Sequence, residues 1–338
     1  MRRVATVVLV LLLVLFGGYT ALWFYVSSRM ADEIAQWAGE QRLHRRDVSW
    51  DKLRMGGYPL AFSVTANEVR FRDLMPGRAG EIKAPLIEAS TRPWNFRSWA
   101  IDAPSGLTAI GGPADAPRVR LTSQSASGSV AIDAGRDIAV TVDLQHPAFE
   151  NGERVAARAA IVSASLPQEP ARSHADASLG LAIAAYDLQV PGLPAPFRGA
   201  INELAFDIRM LGPIPDLPLR EAAAAWRDAG GTIEVEKIAA RSGDFAVTGS
   251  GTVALDREMQ PEAAFSGSVR GYDRLIAGLS EIGVLPLGGS VLATVGLSLL
   301  AKPAADGHPQ IKTSFTIQNG EMSLGPIKLG NAPHIEWE

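Results

Sequence analysis

Two hydrophobic patterns divide this chain. Residues 4–26 form an almost unbroken apolar run without a charged side chain, preceded by Arg2 and Arg3. Such a run predicts one helix able to cross a bilayer, which needs about 20 apolar residues. Trp23, Phe24 and Tyr25 stand at its far end, where amphipathic rings favour the headgroup boundary. Residues 27–41 keep helical spacing, with Met30, Ile34, Trp37 and Ala38 on one side, and predict an outward continuation of the helix as a stalk. From Val48 onward the period changes to two, the spacing of strands with one apolar face.

Leu60, Phe62, Val64 and Ala66 alternate with Ala61, Ser63 and Thr65, and the phase shifts at Asn67 before Val69 and Phe71, which predicts a bulge or turn there. Further alternating segments carry Val119 and Leu121; Ile138, Val140 and Val142; Leu179, Leu181 and Ile183; and Leu204, Phe206, Ile208 and Met210. One apolar face per strand is the antiparallel signature. The proline-rich stretches 191–196 and 213–218 cannot continue a ladder and read as connectors. Residues 220–229 predict a short helix carrying Trp226, ended by Gly230-Gly231. Strands are expected over 245–255 and around Phe265 and Val269, a helix over 272–282, and a strand rather than a buried helix over 289–301. Ile311, Thr313, Phe315 and Ile317 lead into Asn319-Gly320, the strongest hairpin signal in the chain.

The expected fold is therefore mainly β with minor α: a transmembrane helix followed by a long, curved, mostly antiparallel sheet with a few packing helices. The expected boundaries are 1–28 for a signal anchor, 29–47 for a stalk helix and 48–338 for a β-rich body, subdivided near 191–218. A secretory leader has a shorter core and a small-x-small cleavage site. Only Val26/Ser28 approaches one here, so an anchor is expected over a cleaved signal. Arg2 and Arg3 hold the short end in the cytoplasm, whereas Arg29, Arg42, Arg45 and Arg46 argue the reverse. Long domains translocate largely regardless of charge, so the short basic head decides. The bulk of the chain is then periplasmic and the protein single-pass in the inner membrane.

Composition narrows the chemistry. The chain has 338 residues and a net charge of -4 without a long basic stretch, which argues against nucleic acid as a partner. Cysteine is absent, which excludes thiol nucleophiles and thiolate metal sites. Aromatics make up 7%, against 33 glycines and 22 prolines, a mixture that favours many strands and tight turns.

Several segments carry a resemblance: Gly57-Tyr58-Pro59-Leu60-Ala61-Phe62, Trp226 through Gly231, Val247-Thr248-Gly249-Ser250-Gly251, and the closing Asn319-Gly320 turn with Leu324-Gly325-Pro326-Ile327 and Ala332-Pro333. Over nearly its whole length the chain resembles the bacterial envelope proteins of the domain-of-unknown-function family DUF2125. It is also similar in style to AsmA-like proteins, which have an inner-membrane anchor and an elongated β-rich body. The broader resemblance implies a β-groove associated with lipid handling between membranes; the narrower one implies no activity and no functional residues.

Candidate chemistry is sparse. His44, His146, His174, His308 and His334 form no close ligand pair, and Gly-x-Ser-x-Gly is absent. Gly249-Ser250-Gly251 reads as a strand that permits close backbone approach. Asp207, Asp244 and Asp256 fall on solvent-facing or turn positions. No catalytic residue, metal site or cofactor is expected. The Gly57-Tyr58-Pro59 turn either displays Tyr58 at a groove mouth or makes a bend before a strand. Arg42, Arg45 and Arg46 either meet lipid phosphates at the membrane surface or end a solvated helix. Phe62, Val64, Phe71, Phe206, Ile208, Phe245, Val247, Phe265, Phe315 and Ile317 either fill a core or line a trough for acyl chains, since both show the same alternation. The expected function is binding or passing phospholipid or another lipid, or supporting envelope assembly, through an apolar β-groove. The alternatives are a module that pairs an edge strand with an envelope protein and an envelope hydrolase with a site assembled only in space.

Overall fold

The computed structural model describes residues 2–43, 46–72, 79–112, 119–132, 137–281, 302–303, 309–325 and 327–337. The strand expected over 289–301 lies outside them, as do Arg45, His44 and His308. Among the described residues there are 21 strands and three helices, and neighbouring strands run antiparallel. The chain divides into two compact units, one of residues 1–131 with 149–152, the other of residues 132–148 with 153–338.

The first unit begins with α1 (Arg2–Leu43), which runs unbroken through both the apolar run and the segment read as a stalk. Its amino half is exposed at Val7 and along Leu9–Phe16. Further on, Trp23, Ser27 and Ala38 are buried, with Met30 and Ile34 partly covered between them, so one stripe at steps of three and four packs on β1 (Asp47–Ser49) and β2 (Lys52–Gly56). Trp37 falls off this stripe and is exposed, because four-residue steps from Ile34 lead to Ala38.

β3 (Phe62–Arg72) pairs with β1 and β2 on one edge and with β4 (Ala79–Arg92) on the other. Phe62, Val64 and Ala66 are buried, then Val69 three positions on. The shift falls at Glu68, whose φ of 51° is left-handed and which stands opposite Pro85, a residue without an N–H to offer. Both strands change phase together there, so the ladder resumes in the same register. The second edge of β4 is shared by β5 (Asn95–Ala103) and β6 (Leu107–Gly112), which pair in turn with β8 (Ser125–Ile132) and β7 (Val119–Ser123).

In the second unit β9 (Ile138–Gln145), β12 (Ala159–Leu166), β13 (Ala177–Gln189), β14 (Ala200–Leu211), β15 (Thr232–Ser242), β16 (Phe245–Leu255), β17 (Pro261–Arg270), β19 (Pro309–Gln318) and β20 (Glu321–Leu324) follow one another as neighbours. β11 (Glu153–Ala156), β18 (Lys302–Pro303) and β21 (Ile327–Asn331) are short additions, whereas β10 (Ala148–Asn151) falls almost wholly in the first unit, where it pairs with β7. Asn319 and Gly320, at φ 53° and 73°, make the two-residue turn between β19 and β20 that their sequence predicts.

α2 (Leu219–Asp228) joins β14 to β15. It ends as the Gly-Gly pair requires: Gly230 is left-handed at φ 78°, its N–H donates to the Arg227 carbonyl, and the Gly231 N–H donates to that of Trp226. Trp226 is buried and its indole donates to the Leu211 carbonyl at 2.7 Å. A Cβ on Gly231 would lie 2.3 Å from that ring. α3 (Tyr272–Glu281) packs on β16 and buries Ile276.

Gly231→Ala is therefore expected to overpack this corner and cost about 1–3 kcal/mol. Gly111→Ala, with nothing within 4 Å of its Cβ, is expected to change stability far less. The two denaturation midpoints, compared in the same detergent, check this.

Candidate functional site

The cross-strand pairs of the second unit set the site. Val142, Val162, Ile183, Phe206 and Ile238 are paired in succession across five strands, and one row along so are Val140, Ala164, Leu181, Ile208, Val235, Gly251, Phe265, Phe315 and Leu324 across nine. Met210, Ile233, Val253, Ala263, Ile317 and Met322 form a third row, and Leu204, Ala240, Val247, Val269 and Ile311 a fourth. Every second residue points to the same side, so these rows make one continuous apolar face. Nine strands at about 4.8 Å span about 38 Å.

The glycines in the face have a packing role. A Cβ on Gly251 would lie 2.5 Å from the Phe265 ring, so the ring lies across the bare backbone. Phe265 and Phe315 meet with centroids 6.2 Å apart.

The opposite side is polar. Arg209 on β14 bridges Glu234 and Glu236 on β15 at 2.8 and 2.7 Å, Thr248 meets Ser268 at 3.0 Å, and Thr141 meets Ser163 at 3.2 Å. The ion pairs are nearly half exposed, so each contributes at most about 1 kcal/mol. Side-chain burial contributes about 1.5–3 kcal/mol per large apolar residue and is the stronger organiser of the sheet.

Coverage of the apolar face is uneven. Phe245 is 2% exposed, with Phe197 edge-on against it at 5.3 Å. Phe206 and Ile183, directly paired in the middle of the face, remain 38% and 39% exposed. Ile208, Val247, Phe265, Phe315 and Ile317 are half-buried. Phe62, Val64 and Phe71 belong to the first unit; Phe62 and Val64 are buried, and Phe62 stacks on Trp23 at 5.3 Å. Arg42 donates to the Val48 carbonyl at 3.2 Å and lies 3.8 Å from Asp47, while the Arg46 guanidinium reaches Gln41 at 3.5 Å. Tyr58 faces the Thr20 hydroxyl at 2.7 Å.

Beyond the ends of β13 and β14 the connector read from its prolines lines a cleft of about 1020 Å³, with Gln189, Pro191, Leu193, Arg154 and the Arg198–Glu281 ion pair on its walls. Composition and spacing gave no signal for Arg154, because its role depends on where β11 is placed. Among the described residues no three His, Asp or Glu side chains converge to hold a metal ion.

Three carboxyls titrate below the ordinary range. Hydrogen bonds from Lys83 and Arg72 lower Glu81; backbone N–H groups of Arg172 and Ser173 lower Asp176; Arg158, then Asn202, lowers Asp187. All three lie at the surface in ion pairs or turns, where partners that hold the charged form leave no proton to donate at neutral pH.

Fold and face together define a class: a mainly antiparallel β protein with an amino-terminal helix long and apolar enough to cross a membrane, and a sheet apolar on one side. The chain belongs to the family described as uncharacterized protein conserved in bacteria (DUF2125), which it matches over residues 23–333. No curated protein and no solved structure matches it.

Two outcomes follow from the site. Phe245→Ala should cost about 3–5 kcal/mol as a core deletion, and Phe206→Ala distinctly less, read from denaturation midpoints. The lowered carboxyls add stability that is present above about pH 4, where they titrate in an unfolded chain, and is lost as pH falls through their folded values. The midpoint should thus hold between about pH 7 and 5 and drop below about pH 4; a rise on acidification would contradict the assignment.

Proposed function

We propose that this protein is a single-span protein of the bacterial inner membrane whose second unit, in the periplasm, binds acyl chains of phospholipid on its apolar sheet face, holding or passing lipid for envelope assembly. One observation carries the reading: a face whose longest apolar row, Val140 to Leu324, spans about 38 Å keeps Ile183 and Phe206, in the neighbouring row, more than a third exposed. One leaflet of hydrocarbon is about 15 Å deep, so the face exceeds the length of an acyl chain. Each CH₂ taken from water onto it contributes about 0.8 kcal/mol, which makes an acyl chain the natural occupant. α1 supplies proximity to a lipid source. Arg154, on the wall of the cleft beyond β13 and β14, offers a cation for a phosphate headgroup. The reading needs no covalent chemistry and no cofactor.

Full-length protein extracted gently from its membrane is expected to carry stoichiometric phospholipid in native mass spectrometry. Ile183→Asp and Phe206→Asp should each reduce that lipid severalfold while leaving the circular dichroism spectrum unchanged. Ser266→Asp, on the polar side, should retain it. A folded body free of lipid in every preparation would overturn the reading and turn attention to edge-strand pairing with an envelope protein.

A further inference from the structure

The apolar run of α1 is bound by the body before it ends. The Tyr19 hydroxyl donates to the Pro59 carbonyl, Thr20 meets the Tyr58 hydroxyl at 2.7 Å, and the Trp23 indole donates to the Ala61 carbonyl at 3.0 Å. Trp23 is then buried between Phe62, stacked at 5.3 Å, and the edge of Tyr58. Phe62 in turn touches Phe96 at 5.5 Å, next to the two-residue turn Pro93-Trp94 between Arg92 and Asn95. That second tip is held firmly: the buried Thr91 hydroxyl is shared between the Asn95 and Ser98 carbonyls, and Trp99 donates to that of Phe96. Yet the outer side chains of both tips are open to solvent, with Leu60 at 68%, Trp94 at 67% and Phe96 at 47% exposure. Arg92 and Arg97 flank them, also exposed.

Helix geometry fixes the depth of this cluster. Twenty residues from Arg3 to Trp23 rise about 30 Å, the thickness of the hydrocarbon core. With the arginine head at one boundary, Trp23 lies at the other and Tyr19 about 6 Å inside it. The Tyr58–Ala61 turn is bonded to those same residues and must share their depth. Exposed Leu and Trp at that level meet lipid, aromatic rings favour the interface, and flanking arginines suit anionic headgroups.

We propose that the 57–61 turn and the Pro93-Trp94 tip form a membrane-inserted collar around the exit of α1, its partner being the lipid leaflet from which the helix emerges. Leu60 and Trp94 enter the boundary of the acyl region, and Arg92 and Arg97 reach phosphates. The collar fixes the tilt and rotation of the first unit against the bilayer. It rests on α1 spanning the membrane and is independent of lipid binding by the second unit.

The chain has no cysteine, so single labels carry no background. Leu60→Cys, Trp94→Cys, Leu12→Cys within the span and Glu169→Cys on the exposed body would be spin-labelled in the full chain. The proteins would then be reconstituted in phosphatidylethanolamine–phosphatidylglycerol vesicles. Power saturation is read with oxygen, which partitions into lipid, and with a water-soluble nickel chelate. Labels at 60 and 94 are expected to show an oxygen-to-chelate accessibility ratio severalfold above that at 169 and in the direction of that at 12. Labels at 60 and 94 as open to the chelate as that at 169, with 12 still in lipid, would overturn the collar while leaving the anchor intact. Shielding of 60 and 94 from both reagents would assign the tips to a protein partner and overturn it as well. A label at 12 open to the chelate would remove the anchor and the collar together.

Discussion

Each ladder from β9 to β20 sets apolar side chains beside apolar side chains, and this depends on register to the single residue. Strand side chains have a period of two, so a slip of β13 by one position would turn Leu181, Ile183 and Ala185 toward the polar side and bring Ala182 and Ala184 across. Arg209 would then lose its place between Glu234 and Glu236. Surface ion pairs contribute too little to hold register alone; the burial of several large side chains per strand contributes enough. The irregularities keep this arrangement intact. Asp187 is left-handed opposite Asn202 in the β13–β14 ladder, as Glu68 is opposite Pro85, and in both places the partner strands change phase together. An asymmetric shift at Glu236, by contrast, lets β15 bend while Ile208 still meets Val235.

The same constraint gives the face its chemistry. An antiparallel sheet with one apolar side has to cover that side with another layer or with a ligand. Phe197 and α3 cover the Phe245 end, and α2 inserts Trp226 near the end of β14. Between them the pair Ile183–Phe206 stays partly open. In the first unit the corresponding need is met from within, since α1 lays Trp23 on Phe62 and packs on β1 and β2. One chain thus uses the same strand pattern both for a filled core and for a face that remains in part uncovered.

Much of the fold was legible in the sequence, because strands of period two and turn chemistry are local. The limits of β16, the Asn319-Gly320 turn, the Gly230-Gly231 stop after α2 and the phase shift beside Asn67 are written in adjacent residues. β4, β5 and β6 escaped notice, since Pro85, Pro93 and runs of small residues blur their alternation. Coverage was not legible at all. Phe206 and Phe245 sit in equally clear alternating segments, yet one is open and the other closed, because Phe197 approaches from a proline-rich connector and α3 from a later segment. The contacts of Tyr58 with Thr20 and Trp23 join positions almost forty residues apart, and neither composition nor spacing announces them.

The central claim is that the apolar face of the second unit takes up acyl chains. Its most direct test is photo-crosslinking in intact membranes with phospholipid bearing a diazirine in the acyl chain, followed by mapping of the modified peptides. The account predicts adducts on β13, β14 and β15, around Ile183, Phe206 and Ile238, in addition to those on α1. Adducts confined to α1 and the first unit, with β13–β15 unmodified, would contradict it.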